Sequence, residues 1–195
     1  YKFTDEKVKE IGVTVLNETV LGNNSYSTAE LGMDLIIVGK FKSGMGNTIA
    51  NAGAYYMVID NRQPIVGHVN INTDFSYAKN RSIEFFNSII LHEFTHILGF
   101  SNYFFDFKNF TRTEIDNDGI YRFYLNSTKV IEVAKKYYNC DNITGVELEE
   151  YGGKGTAGSH WDARYLLGEY MISTRYTLEE VISEFTLAAL EDLGF

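Results

Sequence analysis

The segment His92-Glu93-Phe94-Thr95-His96 sets two imidazoles four residues apart, with a carboxylate next to the first. On an α-helix, residues four apart differ by about 40° in direction, so both rings point to one side, about a turn apart. That spacing lets two nitrogens reach one zinc ion at about 2.0–2.1 Å each. Glu93 lies about 100° round the helix from His92. There it can reach a water on the metal without ligating the metal itself, as a general base must. The five-residue pattern also arises by accident, as two hydrogen-bonded histidines on a helix. Its weight therefore depends on its surroundings.

Gly99 follows His96 by three residues. In the longer pattern HExxHxxGxxH, such a glycine lets the chain turn sharply after the helix and bring a third histidine to the metal. The position for that histidine is occupied by Asn102, so the compact motif is incomplete. Zinc sites that hydrolyse peptides keep three protein ligands and one water, so a third ligand must come from elsewhere. His68 and His160 are the remaining histidines. Asp106 and Asp116 are further candidates, because zinc accepts oxygen ligands. His160, in Gly158-Ser159-His160-Trp161-Asp162 directly after a glycine-rich loop, is favoured over the carboxylates on chemistry alone. His68 reads otherwise as a partly exposed strand residue.

The elements that must position these groups show in the hydrophobic pattern. Ser82 to Phe100 predicts the clearest helix: Ile83, Phe86, Ile90, Phe94 and Ile97 recur at three- and four-residue spacing, Ser82 can cap the start and Gly99 suits the stop. Before it, Asp34 to Val38 predicts a buried strand ended by Gly39, and Ala54 to Ile59 a second. After a turn at Asn61 to Pro64, Ile65 to Ile71 alternates. Val66, His68 and Asn70 fall on one face, and Gly67, Val69 and Ile71 on the other. Ser101 to about Tyr121 reads as less ordered, Thr128 to Tyr138 as helix and Tyr151 to Gly158 as loop. The last helix is expected from about Leu178 to Leu193, stopped by Gly194. Strands first and helices afterwards predict an α+β fold, with a cleft where the halves meet.

Length and composition bound the class. A chain of 195 residues fits one domain, or one domain with a small lobe, and can bury a real core. Its 45% apolar and 22% charged residues are ordinary for a soluble globular protein. The net charge of −9 argues against nucleic acid as a partner, since phosphate binding needs clustered Lys and Arg. Apolar runs such as Leu35 to Val38 are far shorter than the roughly 18 residues that span a bilayer. Tyr1 in place of an initiator methionine leads to the expectation of a processed or excised piece. Sequons at Asn17, Asn23, Asn80, Asn109, Asn126 and Asn142 tilt towards a secretory route. Cys140, the single cysteine, reads on composition as a buried or free thiol.

Several unusual motifs in one order resemble the leishmanolysin group of surface metallopeptidases within the metzincins. They run from Val66-Gly67-His68-Val69-Asn70-Ile71 and HEFTHILGFS (92–101) through Tyr138-Asn139-Cys140 and Gly145-Val146-Glu147-Leu148-Glu149. They continue with the GGKGT loop, Ser159-His160-Trp161, Glu169-Tyr170-Met171 and the C-terminal Leu190-Glu191-Asp192-Leu193-Gly194-Phe195. The resemblance covers roughly Ile65 to Phe195. In that group a long insertion separates the glycine from the third histidine.

The resemblance implies His160 as third ligand of one zinc ion, with His92 and His96, and Met171 as the methionine of a Met-turn beneath the imidazoles. It implies a twisted sheet with the active-site helix in residues 1–100, and a helical, loop-rich part with the Met-turn in 101–195, together one catalytic unit. The function it implies is a zinc-dependent endopeptidase, with Glu93 activating a zinc-bound water against protein or peptide substrates. The strand Ile65 to Ile71 is then expected at the sheet edge, docking extended substrate. A secreted or cell-surface setting follows, leaving room for membrane-surface association through parts outside this chain. Relatives carry many disulfides, so Cys140 would be half of a bridge whose partner lies elsewhere. Their Met-turn continues with a proline, where this chain has Ile172 and Ser173. The rival reading is a catalytically silent surface or scaffold protein that keeps the fold for adhesion; a hydrolase of non-peptide substrates is a third.

Overall fold

The computed structural model describes residues 13–17, 35–57, 61–74, 82–174 and 180–195, the first of these segments by its backbone alone. The chain divides into two compact units, Tyr1–Leu98 and Gly99–Phe195. Helices and sheets are mixed through both, which makes the fold α+β.

The first unit is built on a four-stranded sheet in the order β1-β2-β4-β3. Its strands are β1 (Val13–Asn17), β2 (Leu35–Lys42), β3 (Ala50–Met57) and β4 (Pro64–Asn72). β1, β2 and β4 run parallel, and β3 pairs antiparallel with β4. Ile36, Ile37 and Val38 of β2 are all buried, as the unbroken apolar run of an interior parallel strand requires. Gly39 does not end β2, which runs on to Lys42 because β4 supplies partners as far as Asn72. β3 starts four residues earlier than its aromatic pattern indicates; the expected tail to Ile59, like the expected start of β2 at Asp34, lies outside the described residues.

β4 has strands on both sides, so it is not an edge. Its alternation has a different cause. Gly67, Val69 and Ile71 face the helix α1 (Ile83–Ile97), joining Ile37, Ile90, Phe94 and Ile97 in one cluster. Ser82 caps α1 by accepting the Phe85 N–H. Ile83, assigned from its spacing to the apolar stripe, is exposed in the first turn; Ile89, Glu93 and Ile97 form the deeply buried line instead.

The second unit contradicts the picture of a chain that is helical after its central helix. Its segment 101–121 holds the short helix α2 (Asn102–Phe107) and the strand β5 (Thr111–Ile115). β5 pairs with β6 (Tyr121–Leu125), and β6 with β7 (Val146–Leu148), in a three-stranded antiparallel sheet. Short half-exposed strands carry little alternation, and an Asp116 turn closes the hairpin, accepting the Asp118 and Ile120 N–H groups. The helix α3 (Thr128–Tyr138) lies where its period places it. Its first amides are capped by the Asp192 carboxylate, at 2.8 Å from the Lys129 nitrogen.

Asp192 belongs to α4 (Glu184–Leu193). This helix begins at Glu184, not near Leu178: Val181 bridges to Glu169 and Ser183 is the N-cap, while 178 and 179 lie outside the described residues. Trp161 is the fully buried centre of the unit, set edge-on to Phe100 at 5.2 Å and Phe185 at 6.2 Å between ring centres. Cys140 is an exposed free thiol, not a buried one.

A Cβ placed on Gly67 would lie 2.3 Å from Ile97 Cγ2, and Ile97 is fully buried. Gly67→Ala is expected to cost about 1–3 kcal/mol in urea unfolding. Combined with Ile97→Ala, it should cost clearly less than the sum of the two single changes. Strict additivity would mean that the contact does not limit the packing.

Candidate metal centre

In the first unit, α1 carries His92 and His96 with their Nε2 atoms 3.0 Å apart. Two nitrogens bound tetrahedrally to one zinc at 2.0–2.1 Å lie about 3.3 Å apart, so the pair already has nearly the spacing of ligands. The rings meet edge to face, with centres 4.7 Å apart. Glu93, between them in sequence, is 6% exposed. Its Oε2 is buried and has no hydrogen-bond partner among the described residues. Burial pushes the Glu93 carboxyl up to about 8. Two converging imidazoles beside an orphaned carboxylate oxygen fit a divalent cation and a water, the chemistry the helix spacing indicates.

In the second unit, Gly99 has a φ of +114°, a conformation that favours glycine and turns the chain after the helix. Asn102 is no ligand. Its N–H donates to Ser159 Oγ at 3.1 Å, and its Oδ1 accepts from the same hydroxyl at 3.4 Å. The residue at the compact motif's third position thus anchors the residue next to His160. His160 is buried, with Nδ1 3.0 Å from the Thr156 carbonyl oxygen. A carbonyl can only accept, so Nδ1 carries the hydrogen and the lone pair sits on Nε2.

The other candidate ligands have different tasks. His68 stacks on Tyr55, ring centres 4.3 Å apart, and burial lowers its pKa. Asp106 accepts from Thr111 Oγ1 at 2.5 Å, and Asp116 is held by Arg122 Nε at 2.9 Å besides its two backbone partners.

Met171 is fully buried, and its carbonyl accepts the Trp161 N–H at 3.0 Å. Two further groups escaped the reading by spacing. One is Arg164, which bridges Asp162, Glu147 and Glu150 and so pins the loop after Trp161. The other is Glu169, a buried carboxylate that accepts from Met171, Ser183 and Thr186. Burial pushes its carboxyl up, opposed by those hydrogen bonds. The only sign of Glu169 in the chain is its place two residues before Met171.

Together these features define an α+β chain whose first unit carries a helix-borne histidine pair able to hold a metal. The leishmanolysin peptidase family matches residues 6–195. A leishmanolysin homolog of Crithidia fasciculata is 36% identical over 71% of this chain and 21% of its own length. A leishmanolysin of Leishmania chagasi is 31% identical over 71% of this chain and 23% of its own. A leishmanolysin-like peptidase of Drosophila melanogaster is 29% identical over 77% of this chain and 28% of its own. The chain therefore belongs to the leishmanolysin family, a family of zinc-dependent metallopeptidases. It spans between a fifth and a third of the length of these curated relatives.

Glu93 yields a stability prediction with a definite sign. Unfolded, it titrates near 4.5; folded, near 8. Between those values the folded chain keeps a proton that the unfolded chain has released, so stability falls as pH rises through the window. With a chelator present, Glu93→Gln is expected to be more stable than the parent at pH 8 by about 2–4 kcal/mol, and equal to it at pH 4. Parallel stability curves against pH would refute the buried-carboxyl account.

Proposed function

We propose that the chain is the catalytic part of a zinc-dependent endopeptidase, with His92, His96 and His160 holding one zinc ion and Glu93 as general base. The observation that carries this reading is the pair of Nε2 atoms 3.0 Å apart next to a buried carboxylate with an orphaned oxygen. His160 qualifies as third ligand by chemistry: with Nδ1–H given to Thr156, its Nε2 is the donor. Membership of the leishmanolysin family supports the same assignment.

When bound, zinc would supply a Lewis acid that acidifies a water and polarises the scissile carbonyl. Glu93 receives a proton at Oε2 and returns it to the leaving amine. Its burial strengthens every electrostatic interaction around that oxygen. With a dication bound at the two histidines, the Glu93 carboxyl would be drawn down into its basic form. Met171 serves as an apolar floor for the imidazoles, a role suited to a buried, adaptable thioether.

The substrates are proteins or peptides. Extended segments dock on the outer side of β3, the end strand of the sheet among the described residues, through main-chain hydrogen bonds. Sequon asparagines at the exposed positions Asn109 and Asn142 support a secretory or cell-surface setting; Asn126 is half-buried, and Asn23 and Asn80 lie outside the described residues. No helix among the described residues is long and apolar enough to cross a membrane.

Cleavage of a denatured protein should vanish with a chelator and return with zinc. Glu93→Gln should lower kcat/KM by about 10²–10⁴-fold while one zinc still binds. His160→Ala should weaken zinc binding. Unchanged affinity there would return the third place to His68 or a carboxylate, and no turnover at any metal loading would leave the domain a scaffold.

A further inference from the structure

We propose that Glu169 is a positioning residue for His160, acting through Trp161 and Met171. The inference rests on the reading of His160 as a zinc ligand, and it concerns what holds that ligand in place.

Glu169 is 4% exposed, yet each of its oxygens is engaged. Oε2 accepts the Met171 N–H at 2.5 Å. Oε1 accepts the Ser183 N–H at 3.3 Å, the Ser183 hydroxyl at 3.0 Å and the Thr186 hydroxyl at 2.5 Å. The direction of these bonds is fixed. Backbone N–H groups can only donate, and Thr186 Oγ1 already accepts the Trp161 indole N–H at 2.8 Å, so its own hydrogen goes to Glu169. A carboxylate complements this set, while an amide would turn a donor towards one of the donors. The carboxylate also lies at the N-terminus of α4, where the first helical amides favour a negative charge.

Two routes lead from this carboxylate to His160. The first runs through Thr186 to the Trp161 indole. The second runs through Met171, whose carbonyl accepts the Trp161 backbone N–H at 3.0 Å. Trp161 is thereby held at both ring and backbone, and it is the residue after His160. The His160 carbonyl in turn accepts the Glu149 N–H at 2.9 Å, so the peptide unit that follows the imidazole is held at both its oxygen and its nitrogen. With that backbone held, the ring can keep Nδ1 on Thr156 and offer one tautomer only. Groups that orient a ligand in this way commonly change metal affinity by about 10–100-fold when removed.

The test uses the full chain and three variants: Glu169→Gln, Thr186→Val and Ser183→Ala. Three readouts are compared well below the unfolding temperature. They are zinc affinity by chelator competition, the d–d absorption of the cobalt-loaded protein, and the imidazole ¹⁵N shifts of His160 with chelator present. Glu169→Gln is expected to weaken zinc about 10–100-fold, alter the cobalt spectrum and mix the two His160 tautomers. Thr186→Val should do the same to a smaller degree. Ser183→Ala, whose bonds lie off both routes, should lower thermal stability alone.

A folded Glu169→Gln with zinc affinity, cobalt spectrum and His160 shifts of the parent would overturn the proposal. Should Glu169→Gln fail to fold, Thr186→Val decides by the same criteria. Should the parent itself bind no zinc, the peptidase reading falls. The His160 shifts then still decide whether Glu169 positions that ring.

Discussion

The close seat of α1 on its sheet governs what the first unit can do. Ile97, one residue past the second histidine, presses on Gly67 so tightly that a Cβ there would come within 2.3 Å. Ordinary contact begins near 3.4 Å, so any larger residue would lift the end of the helix by about 1 Å. Metal sites tolerate less: ligand positions must hold within about 0.5 Å for productive geometry. Under the proposed metal-binding role of α1, the glycine in β4 constrains the site as well as the packing. The apolar cluster of Ile37, Val69 and Ile97 with Ile90 and Phe94 holds the helix down on that seat.

Two buried carboxylates show how differently the units treat charge. Glu169 has donors on both oxygens and is part of a finished network. Glu93 is equally buried, but its Oε2 has no partner among the described residues. Leaving a buried polar group unpaired costs about 1–3 kcal/mol, and more for a charge, so a fold that bears such a cost in a well-packed helix points to a use for it. The use proposed for it is proton transfer at that oxygen. A satisfied carboxylate stabilises a shape, and an unsatisfied one is ready to take a proton.

What the chain reveals by itself follows from how local each signal is. The helix from Ile83 to Ile97 was legible because period, cap and stop agree, and the convergence of His92 and His96 follows from helical geometry alone. β4 was legible too, yet its place in the sheet was not, because pairing on both sides depends on β2 and β3. The hairpin of β5 and β6 was missed, since short half-exposed strands such as Thr111–Ile115 lack alternation. The roles of Asn102, Arg164 and Glu169 were hidden for a further reason. Each acts on a residue two to 57 positions away through a hydrogen bond or ion pair, and no spacing rule encodes such contacts.

The proposed use of a distant third histidine in place of a near one has a modest thermodynamic side. Closing a loop of about 60 residues in place of one of six costs only about 2 kcal/mol more, because closure entropy grows with the logarithm of length. What a long insertion endangers is order, and within the second unit that order has visible sources. Asn102 ties the start of the insertion to Ser159, β6 and β7 give it a sheet, and Trp161 gives it a core. The residue at the vacated ligand position has thus become an anchor for the segment that carries the proposed new ligand. A donor on a free 60-residue loop would have to be ordered at the moment of metal binding, at the expense of affinity. Here that ordering belongs to folding, and the donor tautomer of His160 is set by Thr156.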